Sequence, residues 1–250
     1  MIQDLHSHTY YSFCGEDRPE QIVEAAIAGG IELFGICDHN YGIGFARKNA
    51  YDLPMDVMPD NYGRTLLRYY DHINLIREKY ADQIRVLCGI EVATYNHKRA
   101  PLPDCVDISH FDYCLIEHID RLDGEERSVA GGDLFSFAER CACPAGVAHT
   151  DLFAFIDRIG EDPYRYFKRM AEQNIFWEMN VSYDSIHHYR EHAYMLEFFK
   201  NKEQQAIVRE SGVRLSVGFD GHRVKDYAPH RIRTACEAIT QMGIPLVFED

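Results

Sequence analysis

Two textures alternate along the 250-residue chain. Short apolar runs, rich in β-branched residues and most of them ending in a polar side chain, fall at residues 2–5, 33–37, 86–92, 113–116, 146–148, 176–181, 215–219 and 246–248. Longer segments with apolar side chains at helical spacing lie between them. This alternation is the pattern of repeated β-α units around a parallel sheet. One helix opens at Pro19, carries Ile22, Val23, Ala26 and Ile27 on its inner face, and stops at Gly29-Gly30. The same spacing predicts helices over residues 62–80, 133–141, 163–173, 194–211 and 230–242.

Residues 40–61 break the pattern. They follow the second apolar run directly and carry Gly42, Gly44, Pro54, Pro59 and several aromatics with no period. A loop of that length in a compact domain is usually a lid or a specificity loop. No Pro-, Gly- and Ser-rich linker, repeat or low-complexity stretch divides the chain, so one domain over residues 1–250 is expected.

Composition narrows the classes. With 46% hydrophobic and 26% charged residues the chain can bury a large core. No stretch approaches the roughly 18 uncharged apolar residues of a membrane span, and polar residues enter within the first six positions; a soluble, cytoplasmic protein with no membrane partner is the expectation. The eight cysteines are spread along the chain, with Cys37, Cys88 and Cys114 inside apolar runs, which suits buried reduced thiols. The Cys141-x-Cys143 pair has no matching second pair to complete a structural zinc site. A net charge of −14 opposes binding of a nucleic-acid polymer. A small anionic substrate is compatible with it, because bound metal ions can reverse the local field.

Six of the thirteen histidines lie at or just past the ends of predicted strands, accompanied by carboxylates. "DLHSHT" places His6 and His8 two residues apart, on one side of an extended chain. "LFGICDH" puts Asp38 and His39 at a strand tip, a dipeptide that by itself would suit a turn. In "IRVLCGIEV" the Glu91 carboxylate interrupts an apolar run, where burial is costly without a cation. A metal-bridging role explains it better than the alternative, a Lys or Arg partner at the strand mouth. "YCLIEHID" and "GVAHTD" deliver His118 and His149, each of which alone would suit a core histidine. "LSVGFDGH" repeats the two-residue spacing with Asp220 and His222. The set of His6, His8, His39, Glu91, His118, His149, Asp220 and His222 mixes nitrogen and oxygen donors, as zinc, iron or manganese prefer, and exceeds what one tetrahedral ion needs. Two or three divalent ions are therefore expected.

In series, "DLHSHT", "CDH", "GIE", "EHID", "AHTD" and "FDGH" resemble the ordered motifs of the PHP (polymerase and histidinol phosphatase) superfamily over nearly the whole chain. From residue 111 onward, "FDYCLIEHID", "GVAHTDL", "FWEMN" and "ESGVRLSVGFDGH" look most like histidinol phosphate phosphatases of histidine biosynthesis. The resemblance implies a distorted (β/α)7 TIM-like barrel with a trinuclear centre. The implied reaction is hydrolysis of a small phosphomonoester by a hydroxide bridging two ions. Carried over, His6, His8, Glu91 and Asp220 hold a first ion, Glu91 bridges to a second with His118 and His149, and His39 and His222 hold a third.

This sequence departs from the family in two places. Related chains often place another histidine eight positions after the first, where Cys14 stands here. Cys14, Glu16 or Asp17 is the candidate to replace it. The arginine that follows the "EIN" segment in histidinol phosphatases has no counterpart before Arg190. Arg121, Arg158, Arg190 and Arg223 are the basic residues nearest the motif-bearing loops and the candidates for phosphate contact. Asp220 or His222 is the candidate proton donor to the leaving alkoxide, and Asp4 and Asp38 are expected to orient ligating imidazoles. No "GxSxG" or "GxxxxGK[ST]" occurs. Nucleotide or phosphodiester hydrolysis, and a metal-stabilised regulatory domain without turnover, are the competing readings.

Overall fold

The computed structural model describes residues 1–44, 61–94, 101–124, 127–183 and 192–249. Seven parallel strands lie in chain order in one sheet: β1 (Gln3–Asp4), β2 (Leu33–His39), β3 (Arg85–Val92), β4 (Tyr113–Ile116), β5 (Ala145–Val147), β6 (Ile175–Asn180) and β7 (Leu215–Gly218). The sheet curls until its edges meet. Leu5 N donates to Val217 O (2.8 Å), and beyond the strands Gly221 N donates to His6 O (3.2 Å) and His8 N to Gly221 O (2.7 Å). The result is a nearly closed TIM-like barrel.

The helices follow the strands as α1 (Pro19–Ala28), α2 (Asn40–Gly44), α3 (Tyr62–Tyr80), α4 (Leu134–Cys141), α5 (Leu152–Ile159), α6 (Pro163–Glu172), α7 (Tyr194–Lys200), α8 (Lys202–Ser211) and α9 (Pro229–Gln241). Asp133, Asp151 and Asp162 cap α4, α5 and α6, accepting from Ser136 N (3.1 Å), Ala154 N (3.0 Å) and Arg165 N (2.9 Å). Among the described residues no helix is long and apolar enough to cross a membrane.

Strand alternation sorts the core into two bodies. Phe34, Ile36, Val86, Cys88, Ile90, Cys114, Ile116, Trp177 and Met179 point outward and share one cluster with the helix faces, including Ile22, Val23 and Ala26 of α1. Leu5, Leu33, Cys37, Leu87, Tyr113, Leu115, Ala148, Phe176 and Val247 fill the barrel interior. Tyr113 crosses that interior to donate its hydroxyl to Leu5 O (2.6 Å). Gly35 and Gly89 make room for it, since a Cβ at either would collide with the Tyr113 side chain. Apolar packing thus plugs the floor and leaves polar chemistry for the other end.

The differences from the sequence pattern have local causes. Residues 246–248 form a single bridge, Leu215 to Leu246, rather than an eighth strand. β6 and β1 already occupy both sides of β7, and Phe248 turns away at φ 61°. The helix expected over 194–211 is two helices, because the Asn201 side chain caps α8, accepting from Glu203 N and Gln204 N (both 3.1 Å). α5 is two turns long and was not read from the pattern. Of the expected loop at 40–61, residues 40–44 form α2 and Asn61 precedes α3, while 45–60 lie outside the described residues.

Candidate metal centre

Every strand delivers polar side chains at its carboxyl end, the face on which TIM-type barrels carry their sites. His39 ends β2, Glu91 lies in the last turn of pleat of β3, and Glu178 lies near the end of β6. His6 and His8 follow β1, Glu117 and His118 follow β4, His149 follows β5, and Asp220 and His222 follow β7. The inward series Leu87, Gly89 runs on to Glu91, Tyr113 and Leu115 run on to Glu117, Phe176 to Glu178, and Leu33, Gly35 and Cys37 to His39. Glu91, Glu117 and Glu178 are each 1% exposed.

Four of these side chains converge. His6 Nε2 lies 3.1 Å from His8 Nε2, 3.4 Å from Glu91 Oε1 and 3.6 Å from Asp220 Oδ1. His8 Nε2 lies 3.1 Å from Asp220 Oδ1 and 3.5 Å from Glu91 Oε2. Donors on a tetrahedral shell of ~2.1 Å radius stand roughly 3.4 Å apart, so these separations fit a shared divalent ion. Glu91 continues outward from this group: its Oε1 is 3.1 Å from His149 Nε2 and its Oε2 is 2.7 Å from His39 Nδ1. His39 Nδ1 and Glu91 Oε2 are both buried, and neither takes part in a hydrogen bond among the described residues. Two ligand-type atoms that approach so closely without hydrogen-bond alignment suit a common cation. Three sets bring ligand atoms mutually within 4.8 Å: His6, His8 and Asp220; His39, Glu91 and Glu117; and His8, Cys14 and His39. The donor set present therefore fits divalent metal.

Backbone conformation serves the same cluster. His118 (φ 59°), His149 (φ 24°) and Asp220 (φ 55°) adopt left-handed backbone that side chains with a Cβ rarely take. Such strain concentrates at functional positions, here turning each side chain back over the barrel mouth.

The charges hold one another in place. Burial alone would push the Glu91 carboxyl up, but the His39 and His6 imidazoles and the hydrogen bond from His149 keep it well below the ordinary range. Asp220 is held low in the same way, with burial opposed by His6, His222 and His8. Burial would depress His6, and the Glu178, Glu91 and Asp220 carboxylates raise it well above its usual value. A metal ion would take over the compensation that protonated imidazoles provide, releasing protons as it binds.

The other candidates are distributed as follows. Cys14 joins His8 and His39, whereas the Glu16 side chain is 60% exposed and stands 3.9 Å from Arg223. Asp17 accepts from Val224 N (2.7 Å). Asp4 and Asp38 serve backbone and hydroxyl donors in place of the imidazoles expected of them. Asp4 accepts from Phe219 N (3.0 Å), His6 N (3.2 Å) and Tyr227 OH (2.9 Å), and burial pushes its carboxyl up to about 6 against those hydrogen bonds. Asp38 ties down the loop after β1 through Thr9 N (2.8 Å), Thr9 Oγ1 (2.7 Å), Ser12 N (3.0 Å) and Ser12 Oγ (2.6 Å). Arg158 is paired with Asp123 (2.8 Å) and Arg223 with Asp226 (2.5 Å), while Arg121 donates its backbone N–H to His118 O (3.2 Å) at the mouth. Arg190 lies outside the described residues.

Three residues of the site were not singled out from sequence. Glu117 lies 2.8 Å from His118 Nε2, and Glu178 2.7 Å from His6 Nδ1. Counting every second residue inward along β4 and β6 would have found both. The buried ring of His192 stacks on His149 at 5.1 Å, and no periodicity marks it.

Fold and cluster together define a TIM-like α/β barrel with a metal-binding type of ligand set at its carboxyl mouth. The chain belongs to the PHP domain family, whose model matches residues 4–240. It is 25% identical over 128 residues to a histidinol-phosphatase of Lactococcus lactis subsp. lactis, a stretch covering 49% of this chain and 43% of that relative. The chain thus spans less than half of that protein's length in the match. The crystal structure of a histidinol phosphate phosphatase from the same organism, complexed with zinc, L-histidinol and phosphate, superposes with a TM-score of 0.62 at 16% identity, covering 98% of this chain and 95% of that one. That likeness shows the fold.

Proposed function

We propose that this chain is a metal-dependent phosphomonoesterase acting on a small phosphorylated substrate of the histidinol phosphate type. The observation that carries the reading is the convergence of His6, His8, Glu91 and Asp220 at separations of 3.1 to 3.6 Å. His6, His8, Glu91 and Asp220 hold one divalent ion, Glu91, His118 and His149 a second, and Cys14, His39 and His222 a third, the metals being zinc, iron or manganese. Bound there, such ions lower the pKa of water and neutralise charge on phosphoryl oxygens.

The chain's own residues supply the rest. His222 Nδ1–H donates to Asp220 O (2.8 Å), which leaves Nε2 as its ligating atom. Asp220 and His222 share the loop after β7 and are the candidates to return a proton to the leaving alkoxide. Arg121 remains a candidate for phosphate contact because its backbone N–H donates to His118 O (3.2 Å) at the barrel mouth. Residues 1–250 act as one domain, and the relative's complex with L-histidinol and phosphate supports the substrate class.

The test is metal content and turnover on one preparation, with histidinol phosphate, a nucleoside monophosphate, a phosphotyrosine peptide and a phosphodiester as substrates. Two or more ions per chain with turnover of histidinol phosphate is the expected result. Preference for the nucleotide or the diester would move the substrate class, bound metal without turnover would make this a regulatory domain, and a chain that binds no metal would overturn the reading.

A further inference from the structure

The side chain of Glu178 does not enter the ligand sets above, yet it touches two of them. One oxygen, Oε1, accepts from His6 Nδ1–H at 2.7 Å, and the other, Oε2, accepts from the backbone N–H of His149 at 2.7 Å and stands 3.4 Å from Asn180 Nδ2. We infer that Glu178 is a positioning residue that fixes a ligand of the first ion and the backbone of a ligand of the second through its two carboxylate oxygens. The inference rests on the metal-dependent reading above.

The argument begins with tautomers. A neutral imidazole carries one N–H, and a carboxylate only accepts. Glu178 therefore requires the proton of His6 on Nδ1, which leaves Nε2 with a bare lone pair. That lone pair faces His8 Nε2, Glu91 Oε1 and Asp220 Oδ1, the atoms that converge on the first ion. At the other oxygen, the His149 amide belongs to a residue at φ 24°, a conformation that needs an outside hold. The bond from that amide fixes the turn from which His149 Nε2 reaches Glu91 Oε1 at 3.1 Å. One side chain thus sets the aim of ligands that follow β1 and β5 together.

The neighbouring strand is built around this contact. Gly218, at the end of β7, is paired in register with Asn180. A Cβ at Gly218 would collide with Glu178 Oε1 and with His6 Cβ, the two partners of the bond. From outside, Tyr194 OH donates to Glu178 O at 2.6 Å and locks the backbone from which the side chain projects. Side chains that orient metal ligands in this way typically matter 10–100-fold in metal affinity.

Glu178→Gln tests the inference because a carboxamide has one accepting end where a carboxylate has two. Its oxygen can serve His6 or the His149 amide, and its NH2 must face the other. With NH2 toward His6, the ring proton moves to Nε2 and points into the first site; with NH2 toward His149, two donors oppose each other. Two readouts are independent of turnover: metal affinity by chelator competition on the full chain with zinc, and the His6 tautomer by nitrogen-15 NMR. The expected results are Nδ1–H in the metal-free wild type at a pH high enough to leave the His6 ring neutral, a roughly 10–100-fold loss of zinc affinity in Glu178→Gln, and partial recovery in Glu178→Asp. Activity of Glu178→Gln should return at high zinc, which a general loss of structure would not allow.

An unchanged zinc affinity in a folded Glu178→Gln overturns the inference. So does finding the single proton of the neutral His6 ring on Nε2 in the metal-free wild type, a measurement that does not depend on the variant folding. A wild type that binds no zinc overturns the metal-dependent reading itself, so the two failures are told apart.

Discussion

His39 Nδ1 and Glu91 Oε2 lie 2.7 Å apart without sharing a hydrogen bond, while the other oxygen of Glu91 is 3.1 Å from His149 Nε2 and 3.4 Å from His6 Nε2. Glu91 therefore stands at the centre of the cluster, with a different imidazole on each side. Its negative charge is the one that the surrounding groups share.

Glu91→Gln should for that reason remove more than one ligand. The carboxamide keeps the volume but brings an NH2 group among atoms that accept. Bound metal should fall by at least one ion per chain, and kcat by about 100-fold, which corresponds to ~2.7 kcal/mol of transition-state stabilisation. Elemental analysis alongside steady-state kinetics measures both. A folded variant with full activity and no metal would contradict the assignment.

How much of this was legible from the chain depends on which physical signal each residue carries. The strands at 113–116 and the helix at 62–80 match the sequence pattern to the residue, because their burial is set by local periodicity. His6, His8, His39, Glu91 and Asp220 were readable as polar side chains in or at the ends of apolar runs, Cys14 only through the family resemblance, and the structure gathers them. Glu117 and Glu178 were hidden in the same runs as acidic residues that surface positions would also carry. What decides their role is the inward parity of β4 and β6, together with left-handed backbone at His118 and His149, and φ is not written in a residue's identity. That His6 Nδ1 meets Glu178, while Asp4 and Asp38 meet backbone and hydroxyl donors, was hidden for a similar reason: which oxygen meets which nitrogen depends on contacts across the barrel mouth.

Asn201 offers a check on the fold that leaves the site alone. Its side chain caps α8 and splits what periodicity reads as one helix. Asn201→Ala should cost about 1 kcal/mol, a fall of roughly 2–4 °C in Tm for a chain of this size, with metal content and turnover unchanged. Thermal unfolding of the metal-loaded protein decides it, and no change in Tm would mean that the kink is set by packing of α7 rather than by the cap.

Metal removal should act on stability as well as on activity. Glu91, Glu117 and Glu178 are each 1% exposed and, with Asp220, lie against the histidine cluster, so the stripped protein must balance their charge with protons on imidazoles. An ion present at a thousandfold over its Kd stabilises the folded state by about 4 kcal/mol, equivalent to roughly 8–16 °C in Tm. Chelation should lower Tm by that order and readdition of zinc should restore it. A Tm indifferent to chelator would mean that the cluster is balanced without metal.

Cys14 would give the proposed third site a distinct chemistry. Its sulfur lies within 4.8 Å of ligand atoms of both His8 and His39, whereas Glu16 is turned to solvent and Asp17 is engaged with Val224 N. A thiolate is a soft donor and favours zinc over manganese or magnesium at an otherwise nitrogen-rich site. Substitution with cobalt makes the ligand visible, because a thiolate bound to cobalt adds a sulfur-to-metal charge-transfer band in the near ultraviolet that nitrogen and oxygen donors lack. The wild type loaded with cobalt should show this band, and Cys14→Ser should lose it while keeping the visible bands of ions at the other two sites. Because His6, Glu91 and Asp220 are untouched by the substitution, the variant should retain most of its first-site metal and lose selectivity at the third. Absence of the band from the wild type would remove Cys14 from the ligand set and leave that site to imidazoles.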